Sequence, residues 1–88
     1  MKLSRHKQFI NDFKKVKLAN SQFEKMIVYF NIFLEDKKLP SESKDHELKG
    51  EYKGFRELHL GGDLLVIYYT KDNEIVLARL GTHSQLFK

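Results

Sequence analysis

The sequence predicts an α+β domain in which two N-terminal helices pack on one face of a twisted antiparallel β-sheet. Three observations carry that prediction. Apolar residues recur at helical spacing from Phe9 to Leu34, they fall into short strand-like runs from Phe55 to Gly81, and the one proline, Pro40, stands between the two regimes. The chain has 88 residues and is 41% hydrophobic, enough for one small core, so it reads as a single domain over 1–88.

The elements follow in order. "KLSRH" at the start is suited to an edge strand. Residues 6–18 read as a helix, because Phe9, Phe13 and Val16 fall at i, i+4 and i+7 with lysines between them. Asn20 and Ser21 interrupt it, and Ser21 followed by Glu24 matches a capping box. Phe23, Met26, Ile27, Phe30, Phe33 and Leu34 then form one apolar stripe, so the two helices are expected as an antiparallel pair. Residues 37–54 are polar and carry Gly50 and Gly54, which predicts a loop ending in a short strand near 48–53. "FRELHL", "LLVIYYTK" and "EIVLARLG" are three strands joined by the turn pairs Gly61-Gly62 and Asp72-Asn73, an antiparallel meander.

If both turns are two-residue loops, pairing sorts the side chains onto two faces. Leu58, Leu60, Leu65, Ile67, Tyr69, Val76, Ala78 and Leu80 form an apolar face expected under the helices. Phe55, Glu57, His59, Leu64, Val66, Tyr68, Leu77 and Arg79 form the other, which places His59 beside Arg79 on an open surface. His46, in the preceding loop, and His83 and Phe87, after the last strand, are expected to fold near the same face.

Composition narrows the chemistry. The net charge is +4, and residues 2–17 hold six lysines and arginines against one acid, Asp12. Such a surface suits a polyanionic or acidic partner. There is no cysteine, which excludes disulfides and thiolate metal sites. No apolar run approaches the roughly 20 residues of a membrane span, and the N-terminus lacks a signal-peptide core, so a cytoplasmic protein is expected. His46, His59 and His83 with Asp63 are metal-type ligands, but an arginine among them would repel a cation. Arginine beside histidines fits a phosphate better, since arginine binds it bidentately and histidine exchanges protons near neutral pH. That set suits cleavage of an RNA phosphodiester: a base takes the 2′-OH proton, an acid protonates the leaving 5′-oxygen, and a cation stabilises the phosphoryl oxygens. No metal or other cofactor is expected. Lys49, Lys53 and Arg56 join Arg79 as the expected RNA contacts.

Two stretches make the reading more specific. D-H-x-L-x-G-x-[WY]-K-G-[FY]-R at 45–56 and R-L-G-T-H-S-x-L-F at 79–87 resemble the YafQ branch of the RelE-type toxins of bacterial toxin–antitoxin systems. The resemblance covers the whole chain. It implies a RelE-like fold and a type II toxin that acts as a ribosome-associated mRNA endoribonuclease. It also implies a cognate antitoxin as partner, with operator DNA bound only as the toxin–antitoxin complex. The family's active residues correspond to His46, His59, Asp63, Arg79, His83 and Phe87. The roles expected are His59, oriented by Asp63, as base, His83 or His46 as acid, Arg79 on the phosphate, and Phe87 against a nucleobase. Leu64 stands where this branch often has tryptophan, so a stacking surface is expected to be missing. The two-residue Gly61-Gly62 loop would put Asp63 on the core face, and a longer turn through Asp63 is favoured because burying a carboxylate is costly. The alternative is a non-catalytic RNA- or ribosome-binding relative neutralised by the same kind of antitoxin.

Overall fold

The structure, a computed structural model, describes residues 1–87. Its strands are β1 (Lys2–Arg5), β2 (His46–Glu47), β3 (Arg56–Gly61), β4 (Leu64–Lys71) and β5 (Glu74–Thr82). Its helices are α1 (Lys7–Lys15), α2 (Asn20–Leu34) and the single turn α3 (His83–Leu86). The strands form one sheet in the order β1-β5-β4-β3-β2. The expected β3–β4–β5 meander is present, and the N-terminal segment adds the edge strand. β1 joins β5 in parallel, which makes the sheet mixed rather than wholly antiparallel.

Both long helices cover one face of the sheet. Phe9 of α1 and Met26, Tyr29 and Phe33 of α2 are buried against Leu58, Leu60, Leu64, Val66, Tyr68, Ile75, Leu77 and Leu80. Each helix carries more apolar surface than the sheet hides: Phe13, Phe23, Ile27 and Leu34, expected in the core stripe, are 44–54% exposed. The caps also differ from expectation. His6 closes the start of α1, where its Nδ1 accepts the Gln8 N–H at 3.0 Å. At the start of α2 the Ala19 N–H donates to Gln22 Oε1 at 3.0 Å, so Gln22 takes the part expected of Glu24 and Ser21 lies inside the helix.

The turn at 61–63 changes the face assignment. Gly61 pairs with Leu64, so the turn is Gly62-Asp63, one residue later than Gly61-Gly62. Asp63 therefore sits in the turn and stays exposed, as the cost of burying it required. A one-residue shift inverts every side chain of β4. Leu64, Val66 and Tyr68 face the helices, and Leu65 and Ile67 face away. Two irregularities keep the flanking strands in phase, one between His59 and Gly61 and one opposite Ile67 and Tyr68. Leu58 and Leu60 remain on the helix side, and His59 and Arg79 remain on the other. β5 splits at Ala78: Leu77 and Leu80 point to the helices, while Ala78 joins the far face. The second turn is as expected, with Asp72 and Asn73 at φ 50° and 61° between the paired Lys71 and Glu74.

The far face is not an open polar surface. Leu65, Ile67 and Ala78 are buried beneath Leu86 of α3, with Leu48, Tyr52, Phe55 and Tyr69 around them. The loop at 41–55 and the chain end thus form a small second layer. In that loop the short strand lies at His46–Glu47, and Gly50–Tyr52 is a 3₁₀ turn rather than the strand expected near 48–53. Gly50, at φ +72°, ends the extended run.

Candidate active site

The loop strand β2 is only two residues long, and its purpose is local. It places His46 directly opposite Glu57 of β3. Glu57 is 4% exposed, and its Oε1 lies 3.0 Å from His46 Nε2 and 3.6 Å from His59 Nε2. His46 Nδ1 is 2.7 Å from the Lys44 carbonyl oxygen. A carbonyl only accepts, so Nδ1 donates there, and Nε2 faces the Glu57 carboxylate. Burial holds His59 below the ordinary imidazole range; Lys44, His46 and His83 push the same way, and Glu57 opposes them. His59 is therefore neutral near pH 7 and able to accept a proton.

His83 continues the array. Thr82 and Gln85 close α3 in a capping box: the Thr82 hydroxyl accepts the Gln85 N–H, and Gln85 Oε1 accepts the Thr82 N–H at 2.9 Å. That turn directs His83 toward the 62–63 turn, where its Nδ1 lies 3.2 Å from Asp63 Oδ1. The rings run in sequence: His46 to His59 at 6.3 Å between centroids, His59 to His83 at 6.2 Å, His83 to Phe87 at 5.3 Å, and Phe87 to Tyr52 at 5.3 Å. The chain end thus supplies two of these rings, His83 and Phe87.

Three expectations are corrected here. Asp63 partners His83, and the carboxylate beside His59 is Glu57, which the residue pattern alone had marked only as a polar residue of the far face. Arg79 does not stand beside His59, because β4 separates β3 from β5 and Arg79 pairs opposite Ile67. It turns toward α1, where Nε donates to Asp12 Oδ2 at 2.8 Å and Nη2 to Asp12 Oδ1 at 3.3 Å. The hydrogen bonds to Asp12 raise its pKa further against some opposing desolvation. Arg79 lines a cavity together with Tyr52, whose ring ends the sequence above. Arg56, expected as an RNA contact, is partly exposed but already paired. It donates from Nε and Nη2 to Asp45 at 3.2 and 3.1 Å, and the Tyr68 hydroxyl donates to the same carboxylate. Burial and the Asp45 carboxylate both raise the Tyr68 phenol, which keeps it a donor. This clamp fixes the residue next to His46 and gives the D-H and F-R pairs of the 45–56 stretch a structural reason.

Lys49 and Lys53 are exposed in the loop, as an RNA contact requires. Leu64 is 5% exposed and packs in the helix-side core, so no stacking surface meets the histidines there. His46, Glu57 and His59 bring three ligand atoms within 4.8 Å of one another. The expectation of no metal site took no account of Glu57, which adds a carboxylate to the two imidazoles. Two imidazoles and a carboxylate suit a borderline ion such as Zn²⁺ or Cu²⁺.

Comparison with known proteins bears on the family and the fold. The family model for YafQ, a bacterial toxin of type II toxin–antitoxin systems, matches residues 1–88. The mRNA interferase toxin YafQ of Escherichia coli K12 is 37% identical over 78 residues, covering 84% of this chain and 85% of that one. The crystal structure of the E. coli DinJ-YafQ toxin–antitoxin complex aligns with a TM-score of 0.82 at 29% identity, covering 98% of this chain and 96% of the other. A metal-bound toxin from Helicobacter pylori aligns with the same TM-score at 35% identity, covering 98% of each chain.

Proposed function

This chain belongs to the YafQ family of bacterial type II toxins, and on that premise we propose that its histidine face cuts mRNA on the ribosome. One observation carries the reading: three histidines, each within reach of a carboxylate or of a neighbouring histidine, line one surface at about 6 Å spacing and end on an exposed aromatic ring. Single-stranded RNA offers groups for each part. Phe87, 36% exposed, stacks against a base. Arg79 draws in the scissile phosphate, and Lys49 and Lys53 follow the backbone.

In the reaction, neutral His59 removes the 2′-OH proton, and that oxygen attacks the adjacent phosphorus. His83, its Nδ1 held by Asp63, donates a proton from Nε2 to the leaving 5′-oxygen. His46, held by Glu57 and the Lys44 carbonyl, lines the site beside His59, and Arg79 stabilises the phosphoryl oxygens. The products are a 2′,3′-cyclic phosphate and a 5′-hydroxyl. A metal ion on His46, Glu57 and His59 would tie up His59, the base of this scheme, so it would inhibit.

The antitoxin is the partner that keeps the activity in check. The exposed Phe13, Phe23, Ile27 and Leu34, set among the lysines of the first two helices, suit an acidic amphipathic segment. We place the protein in the cytoplasm, where ribosomes are; among the described residues no helix is long and apolar enough to cross a membrane.

The test is to map the ends of mRNA cut in a translating extract. His59→Gln and His83→Gln should each slow cleavage by about 10²–10⁴ while leaving ribosome binding intact. A 3′-hydroxyl end excludes 2′-OH attack, and cleavage at the wild-type rate by both variants returns the histidines to ordinary surface residues and favours the binding-only alternative.

A further inference from the structure

The six bases of residues 2–17 surround a single acid, and that acid is spent on the sheet. Asp12 is on α1, its side chain only 16% exposed. Its Oδ2 accepts both Arg79 Nε at 2.8 Å and the Leu80 backbone N–H at 2.9 Å, and its Oδ1 accepts Arg79 Nη2 at 3.3 Å. β1 stops at Arg5, opposite Leu77, and the chain then turns into α1. The helix thus lies along β5 where β1 has ended, and Asp12 supplies an acceptor to the strand edge there. The bond to the Leu80 backbone fixes the carboxylate independently of the arginine.

We propose that Asp12 is a positioning residue for the cleavage reaction, holding Arg79 in the orientation that clamps the scissile phosphate. The inference rests on the reading of Arg79 as the phosphate-binding residue. A guanidinium has five N–H groups in a planar fork. Asp12 takes the edge formed by Nε and Nη2 and leaves both Nη1 hydrogens and the second Nη2 hydrogen, the end-on fork that grips a phosphate through two parallel bonds. A long flexible side chain is thereby set before substrate arrives. The carboxylate also weakens the net attraction of the site for RNA, so its two effects oppose each other: it costs ground-state binding and favours the oriented transition state.

That opposition gives a test that a merely structural ion pair would not meet. In single-turnover cleavage on ribosomes, Asp12→Asn should lower the maximal rate by about 10–100-fold, the scale of a misplaced catalytic group. Binding of a non-cleavable 2′-deoxy RNA should be unchanged or tighter. Asp12→Glu keeps the charge but moves it by one methylene, and its rate should fall between the two. In an Arg79→Ala background, Asp12→Asn should cause no further loss, since Asp12 acts only through Arg79. Independently of activity, the Arg79 Nε–H resonance should be slow to exchange in the wild type and lost to fast exchange in Asp12→Asn. A wild-type rate for Asp12→Asn overturns the inference alone, as does an equal further loss in the Arg79→Ala background. A wild-type protein that binds ribosomes but cuts nothing overturns the functional reading beneath it as well. If Asp12→Asn does not fold, the Asp12→Glu rate and its Nε–H exchange decide the matter: wild-type values for both refute the proposal.

Discussion

Replacing Asp45 by alanine removes the anchor of the loop that carries His46. Its carboxylate accepts two N–H groups of Arg56 and the hydroxyl of Tyr68. The two partners lose unequally. The Arg56 side chain is 40% exposed, so water replaces its lost contacts, and its share is discounted to under about 1 kcal/mol. Tyr68 is 3% exposed, packed against Phe33 at 4.9 Å between ring centroids, and its hydroxyl cannot be rehydrated without disturbing the core. A buried donor left unsatisfied costs about 1–3 kcal/mol. The total is about 1–4 kcal/mol, and for a domain of this size each kcal/mol lowers Tm by about 4–8 °C. Urea titration of the isolated protein measures the loss directly. Tyr68→Phe removes the donor itself and should cost only about 0.5–1.5 kcal/mol. The double variant should then be less destabilised than the sum of the two single changes, by about 1 kcal/mol. Asp45→Ala should also lose activity, because His46 is no longer held opposite Glu57. A midpoint within about 0.5 kcal/mol of wild type, or strict additivity in the cycle, would show that the clamp does not hold the loop.

Further outcomes are expected. His59 is held below the ordinary imidazole value of 6.5, so the acid limb of the pH–rate profile for kcat/KM should have its midpoint below 6.5. Glu57→Gln should move that midpoint lower still, since Glu57 favours the charged form; an upward shift contradicts the assignment. The same depressed pKa means that His59 contributes stability in full above pH 6.5 and loses it as pH falls through its folded value, which acid unfolding of His59→Gln against wild type will show. Lys49→Ala and Lys53→Ala should each reduce the salt slope of RNA binding by about 1, whereas Arg56→Ala should chiefly lower stability, read by salt-dependent binding and urea titration side by side. A Cβ at position 81 would lie 2.9 Å from Gln85 Oε1 and 3.2 Å from Leu86 Cδ2. Gly81→Ala should therefore disturb the α3 capping box, costing about 1 kcal/mol and displacing His83, with a fall in cleavage larger than the loss of stability explains.

Local signals determined much of this protein. Helical spacing, the proline at 40, and the turn pair Asp72-Asn73 dictated two helices followed by an antiparallel meander, because each depends only on backbone preferences and nearby residues. Strand β3 kept His59 off the core for the same reason: its alternation sets polar against apolar side chains. The two stretches at 45–56 and 79–87 led to the family and to the histidines. β4 was different. Leu64, Leu65, Val66, Ile67 and Tyr68 are all buried, on both faces, so no pattern in the strand itself says which side meets the helices. The turn at Gly62-Asp63 and the two irregularities in its neighbours decided that, and with it the cover of Leu86, Tyr52 and Phe55 over the far face. The pairings of charge were equally beyond the sequence. Asp12 and Arg79 are 67 residues apart, Asp63 and His83 are 20 apart, and Glu57 meets His46 through a strand only two residues long. Composition reveals which charges exist, but which carboxylate holds which base depends on angstrom-scale distances that arise only when helix, loop and chain end close over one sheet.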